Sequence, residues 1–229
     1  MKKKLIIILA VVAALATLSV GVAAGTSRYS SSGGIDYEVS VTNLMPGQIL
    51  SPIVVATHTK DNAPLFSLGQ PSSAELAAMA EDADTSGLMA LWSDNDEVND
   101  LQVLTLDDGP IPPGQTAMGV VNVDGEATRL SLASMLVSTN DGFISLNGMS
   151  LVGVVDRSVR VPVYDSGSEA NSENCDFIPG PPCGNHLHDD SGAEGFVHIH
   201  SGVHGGGGLT PSLHDWHNPA ALITIKRKF

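Results

Sequence analysis

Apolar and polar residues alternate strictly at the start of the folded part of the chain: Ile35, Tyr37, Val39 and Val41 are separated by Asp36, Glu38, Ser40 and Thr42. A period of two is that of a β-strand with one buried face. Asn43, Pro46 and Gly47 then supply a turn, and residues 53–57 read as a second strand. Short apolar runs recur at 117–123, 130–137, 143–146, 151–155 and 159–163, and again at 195–200 and 220–226, with turn residues between them. That repetition predicts a mainly β chain folded as an antiparallel β-sandwich. Pro162 lies inside one run, so its strand belongs at a sheet edge or a bulge, because proline donates no ladder hydrogen bond. One short helix is expected. Ser72 followed three positions later by Glu75 gives a capping-box start, Leu76, Ala77, Met79 and Ala80 continue an apolar face, and residues 82–87 stop it. Residues 92–108 are rich in acids and predict a long loop around the brief apolar run 101–106.

The first residues follow a different pattern. Lys2, Lys3 and Lys4 precede an apolar run from Leu5, and small residues close it at Val22, Ala23 and Ala24, which predicts a secretory signal peptide over 1–24. An uncleaved anchor is the alternative, since the run is nearly long enough to span a bilayer. Small residues at its exit and the lack of a basic stop-transfer cluster favour cleavage, leaving no stable membrane anchor. Residues 25–34 are polar and predict a disordered linker, and 35–229 a single domain. The expected location is therefore beyond the first membrane: extracellular, at the cell surface, or periplasmic.

Charge narrows the partners. The chain has 25 acids against 11 Lys and Arg, a formal charge of −14, and loss of the three leader lysines takes it to −17. Nucleic acid and anionic membranes are disfavoured as direct partners. Cys175 and Cys183 are the only cysteines. In an exported protein such a pair is expected to oxidise, closing a short loop around the stretch 179–182.

Three acids stand out: Asp141 before Gly142, and Asp165 and Glu169 flanking Gly167, each set following an apolar run. Carboxylates at strand ends are hard oxygen ligands of the kind Ca²⁺ prefers, and a curled loop also aims backbone carbonyls inward. The spacing is not that of an EF-hand. Taken singly, these are residues that turns favour anyway. Glu173 and Asp176 follow closely, as further ligands or as part of a hydrated loop.

The stretches YEVSVTNL (37–44), FSLGQPSS (66–73), SMLVSTNDGF (134–143), YDSGSEAN (164–171) and EGFVHIHSGVHG (194–205), ending at Trp216, Asn218 and Pro219, resemble the spondin N-terminal domain family in its bacterial form. The resemblance runs in family order over nearly the whole chain after the leader. It implies a β-sandwich similar to C2 domains, an extracellular-matrix or adhesion role, and a cation held by Asp141, Asp165 and Glu169. Ser166 and Ser168 replace the alanine and threonine usual between the last two acids, which spares the carboxylates. Animal members carry further modules, thrombospondin repeats among them, and none is evident here. Their integrin, receptor and matrix partners are therefore not carried over, and the expected partner is an extracellular protein or glycan.

Seven of the eight histidines lie between His186 and His217. Strand alternation over 195–200 would put Phe196, His198 and His200 on one face and Val197 and Ile199 on the other. Two imidazoles so placed, with His204 after a turn, are a rival site for Zn²⁺ or Cu²⁺. The segment is similar to the Gly-Phe-His-x-His strand of copper/zinc superoxide dismutases, with one residue inserted. His186 and His188 followed by Glu194 are similar to a cupin signature, although the glutamate spacing is off. The plainer reading is that the histidines hydrogen-bond within loops beside Gly205 to Gly208. No Gly-x-Ser-x-Gly elbow occurs, and His58 reads as structural. The expectation is thus a non-catalytic, Ca²⁺-binding adhesion or matrix module. A histidine-centred metalloprotein with redox activity and a purely structural matrix protein are the alternatives.

Overall fold

The computed structural model describes residues 33–229. The predicted leader, and the predicted linker except Gly33 and Gly34, lie outside the described residues. Ten strands follow in order: β1 (Ile35–Asn43), β2 (Ile53–His58), β3 (Val98–Leu104), β4 (Thr116–Val123), β5 (Arg129–Met135), β6 (Gly142–Ser150), β7 (Asp156–Val161), β8 (Val163–Asp165), β9 (His198–Ile199) and β10 (Ala221–Arg227). They form two antiparallel sheets, a four-stranded one ordered β4-β1-β10-β7 and a six-stranded one ordered β3-β2-β5-β6-β8-β9. The protein is a β-sandwich.

The alternation of β1 has its expected consequence. Tyr37, Val39 and Val41 are buried and meet Val55, Leu132 and Ile144 of the facing sheet in one core. β2 is buried at every position because both of its faces are covered. Ile53 and Val55 enter the core between the sheets. Val54 and Ala56 lie under two helices, α1 (Ala74–Asp82) and α2 (Ser86–Ser93), which add a third layer through Leu76, Met79, Leu88 and Trp92.

Several local expectations are corrected. The cap of α1 is Ser73, whose Oγ accepts from the Leu76 N–H at 3.2 Å, one residue beyond the expected Ser72. α1 stops where expected, at Asp82, but Ala83, in a left-handed conformation (φ 58°), turns the chain into a second helix, α2, where only one was expected. The expected long loop 92–108 contains the end of α2 and the whole of β3. The run 151–155 is no strand: Val154 N–H returns to the Leu151 carbonyl, and both residues plug the end of the core. Their carbonyls accept from the Tyr37 hydroxyl at 3.2 and 3.3 Å. The run 159–163 is divided at Pro162, which lies where the chain leaves β7, an edge strand of one sheet, for β8 in the other. A residue without an N–H suits the point where one ladder ends and the next begins.

Candidate functional site

The acidic segments meet at one end of the six-stranded sheet. Asp141 immediately precedes β6, Asp165 ends β8, and the ladders pair Gly142 with Asp165 and Asp165 with His198. Beyond β8 the chain curls tightly, as the acid spacing required. Gly167 takes φ +69°, and a Cβ there would lie 2.3 Å from the Phe196 carbonyl oxygen, so only glycine fits. Gly195 N–H closes this crossing onto the Gly167 carbonyl at 2.8 Å.

Asp141, Asp165 and Glu169 are all buried, at 0, 0 and 2 % exposure. Asp141 Oδ2 is the hub of the curled loop. It accepts from Ser166 Oγ at 3.0 Å, Ser168 N–H at 2.8 Å and Glu169 N–H at 3.1 Å. Asp141 Oδ1 is buried without a hydrogen-bond partner. Asp165 Oδ1 accepts from Gly167 N–H at 2.8 Å, and its Oδ2 accepts from Asn171 Nδ2 at 2.5 Å. The Glu169 carboxylate turns elsewhere: its Oε1 accepts from Asp189 N–H at 3.0 Å and lies 3.1 Å from His188 Nδ1.

The two metal sites expected separately from the sequence share a member. His198 Nδ1 lies 3.6 Å and His200 Nε2 3.9 Å from the Asp165 carboxylate. His204 stands apart, exposed beside Glu173. Only part of the expected alternation survives over 195–200. Val197 is buried while Ile199 is exposed, because just His198 and Ile199 join the ladder and Val197 bonds instead to the backbone of Gly69 and Gln70.

Glu194 completes the cluster. A ligand atom from each of Asp165, Glu194 and His198 falls within 4.8 Å of the others, Asn171 Nδ2 bridges Asp165 to Glu194, and Glu194 Oε2 is buried and unpartnered. Glu194 was not among the acids picked out for this site. It stands far from them in sequence, and the usable signal was its place at the head of the histidine strand. Glu173 is a latch, not a ligand: its carboxylate accepts from the N–H groups of His204, Gly205 and Gly206. Cys175 and Cys183 form a disulfide in the adjoining loop.

Electrostatics follow from this burial. Among the described residues, the only Lys or Arg paired with a carboxylate is Lys60, on Asp61. Among those residues no Lys or Arg pairs with Asp141, Asp165, Glu169 or Glu194. Burial first, and then the charge of Asp141, raises Asp165 to about 7. Burial, with Glu81 nearby, raises Glu169 to about 7 as well, and burial also raises Asp141. His200 is pushed down to about 4, by burial first and by His198 and His204 next.

His58 is engaged structurally. Its Nδ1 lies 2.7 Å from the Thr59 carbonyl and its Nε2 2.8 Å from Ser131 Oγ, but that serine is 1 % exposed and closed to a substrate. Family models and curated proteins were both searched, and neither gave a match to this chain. Fold and site together define a β-sandwich with a buried carboxylate cluster at one sheet end.

Proposed function

We propose that the protein is an exported, Ca²⁺-stabilised β-sandwich of the spondin N-terminal type, acting as a non-catalytic binding or adhesion module at the cell surface or in the extracellular matrix. The observation that carries the cation is the set of buried carboxylates with no Lys or Arg paired to them among the described residues, including the orphaned Asp141 Oδ1 and Glu194 Oε2. Isolated buried carboxylates are costly, and oxygen donors of this kind match a hard divalent ion. Asp141, Asp165 and Glu194 would hold it, with the bound charge favouring the ionised forms of Asp141 and Asp165, which burial disfavours.

The disulfide points to an oxidising compartment, and the basic and apolar start of the chain supplies the export signal. No helix among the described residues is long and apolar enough to cross a membrane. The motifs shared with spondin-type domains support the adhesion role, with an extracellular protein or glycan as partner.

Softer cations have one observation in their favour, the ring nitrogen of His198 beside Asp165 and Glu194. Zn²⁺ or Cu²⁺ there is the second reading. His200 fits it poorly. Gly202 N–H donates to His200 Nδ1 at 3.0 Å, which places the ring proton of the neutral imidazole on Nε2 and leaves no lone pair facing Asp165.

Thermal melting tests the first reading. Chelator should lower the melting temperature and Ca²⁺ restore it. At ~100 times its dissociation constant the ion stabilises by about 2.7 kcal/mol, or roughly 5–10 °C for a domain of this size. Asp165→Asn should abolish the response, and an unresponsive wild-type protein would sink the proposal. Stoichiometric zinc or copper in untagged protein, lost with His198→Ala, would favour the second.

A further inference from the structure

A separate group of ligands lies on the far side of the curled loop, where it touches the helical layer. Glu81 and Asp82 occupy the last turn of α1, with no basic residue there. Acids at a helix C-terminus meet the negative end of the helix dipole and call for a cation. The structure offers histidines. His188 Nδ1 lies 3.3 Å from Glu81 Oε2 and 3.1 Å from Glu169 Oε1, while its Nε2 lies 3.2 Å from Asp82 Oδ2. His186 Nδ1 in turn lies 3.3 Å from Asp82 Oδ1.

The chemistry of the His188 ring makes this arrangement specific. With its Nε2–H donated to Asp82, a neutral imidazole turns the lone pair of Nδ1 toward two carboxylate oxygens. That contact is favourable only with a positive centre on Nδ1, either a ring proton or a metal ion. A metal-bound histidine has this very pattern, one nitrogen on the metal and the other N–H on a carboxylate that fixes the ring. The spacing agrees. Zinc bonds of ~2.0–2.1 Å to nitrogen and oxygen set tetrahedral ligand atoms roughly 3.3 Å apart. The two separations at Nδ1 are 3.1 and 3.3 Å.

We infer that Glu81, Glu169 and His188 form a second metal site, for Zn²⁺ or an ion of the same class, with Asp82 orienting His188 and water as the fourth ligand. Glu169 is held for this task by the Asp189 N–H at 3.0 Å and is 2 % exposed, whereas the His188 side chain is 45 % exposed and leaves the ion a way in. The site clamps α1 to the loop that also carries Asp165. It does not rest on the Ca²⁺ proposal, since its three ligand atoms are distinct from those of the Asp165, Glu194 and His198 cluster.

Cobalt substitution tests it. Purified, untagged, metal-stripped full chain should bind one equivalent of Co²⁺ with the intense visible bands of tetrahedral coordination, and Zn²⁺ should displace it. His188→Ala should weaken binding about 100-fold and remove the bands. Asp82→Asn, which reaches the metal only through the His188 ring, should weaken it about 10-fold. Asp165→Asn should leave the bands unchanged. Absence of tetrahedral bands, their survival in His188→Ala, or their loss in Asp165→Asn would each overturn the assignment. Calcium-dependent melting should persist in His188→Ala, so the two sites can fail independently.

Discussion

Asp165 and Glu169 carry their consequence in their protons. Both are raised from the ordinary carboxylate range to about 7 in the folded protein. Between roughly pH 4 and 7 these two groups therefore bind protons in the metal-free native state that the unfolded chain has released, and their share of the stability falls as pH rises through that window, against the smaller opposite share of the depressed His200. Ca²⁺ replaces the proton on Asp165, so the loaded protein should lose the Asp165 share of this dependence. Melting in chelator at pH 5 and 7.5 checks it, with the higher melting temperature expected at pH 5; the reverse order would contradict the assigned burial. Asp165→Asn should shrink the difference. The sequence showed these acids as turn residues beside glycines. Their lack of counter-ions was not visible there, because it depends on which basic side chains the folded chain keeps away. Gly167 is similar: its flexibility could be read, but the Phe196 carbonyl that forbids a side chain comes from a distant segment.

At the level of elements, the helical layer shows where local pattern succeeds and fails. α1 carries its own cap and apolar face, so it was legible to within a residue. Ser73→Ala should cost about 1 kcal/mol, and Met79→Ala, which opens a hole above the six-stranded sheet, about 2–5 kcal/mol; chemical denaturation measures both. α2 was missed because Gly87 lies near its start and helices disfavour glycine. A Cβ at Gly87 would approach Glu75 Cγ to 3.2 Å, so the glycine serves the contact between the two helices. β2 did signal a third layer. Its unbroken run of buried residues is the mark of a strand covered on both faces, whereas β1, open on one face, alternates. The division at Pro162 was half legible, since the missing N–H marked an edge but not a change of sheet.

For the whole molecule, the pairing of β1 with β10 sets how the fold meets load. The two strands are antiparallel neighbours in register from Tyr37 with Arg227 to Asn43 with Ala221, so residues 35 and 229 emerge at the same end of the four-stranded sheet. Ladder hydrogen bonds run across the strands, perpendicular to their length. Tension applied between those two ends opens the pair one bond at a time from the Tyr37 side, as a zipper opens, and never loads the ladder in parallel. Single-molecule pulling from residues 35 and 229 should accordingly yield at low force. Attachment through the far end of β10, near Ala221, and the start of β1 should load the same bonds in shear and resist much more. A module anchored by both termini would thus yield early under tension, and one gripped across its length would hold.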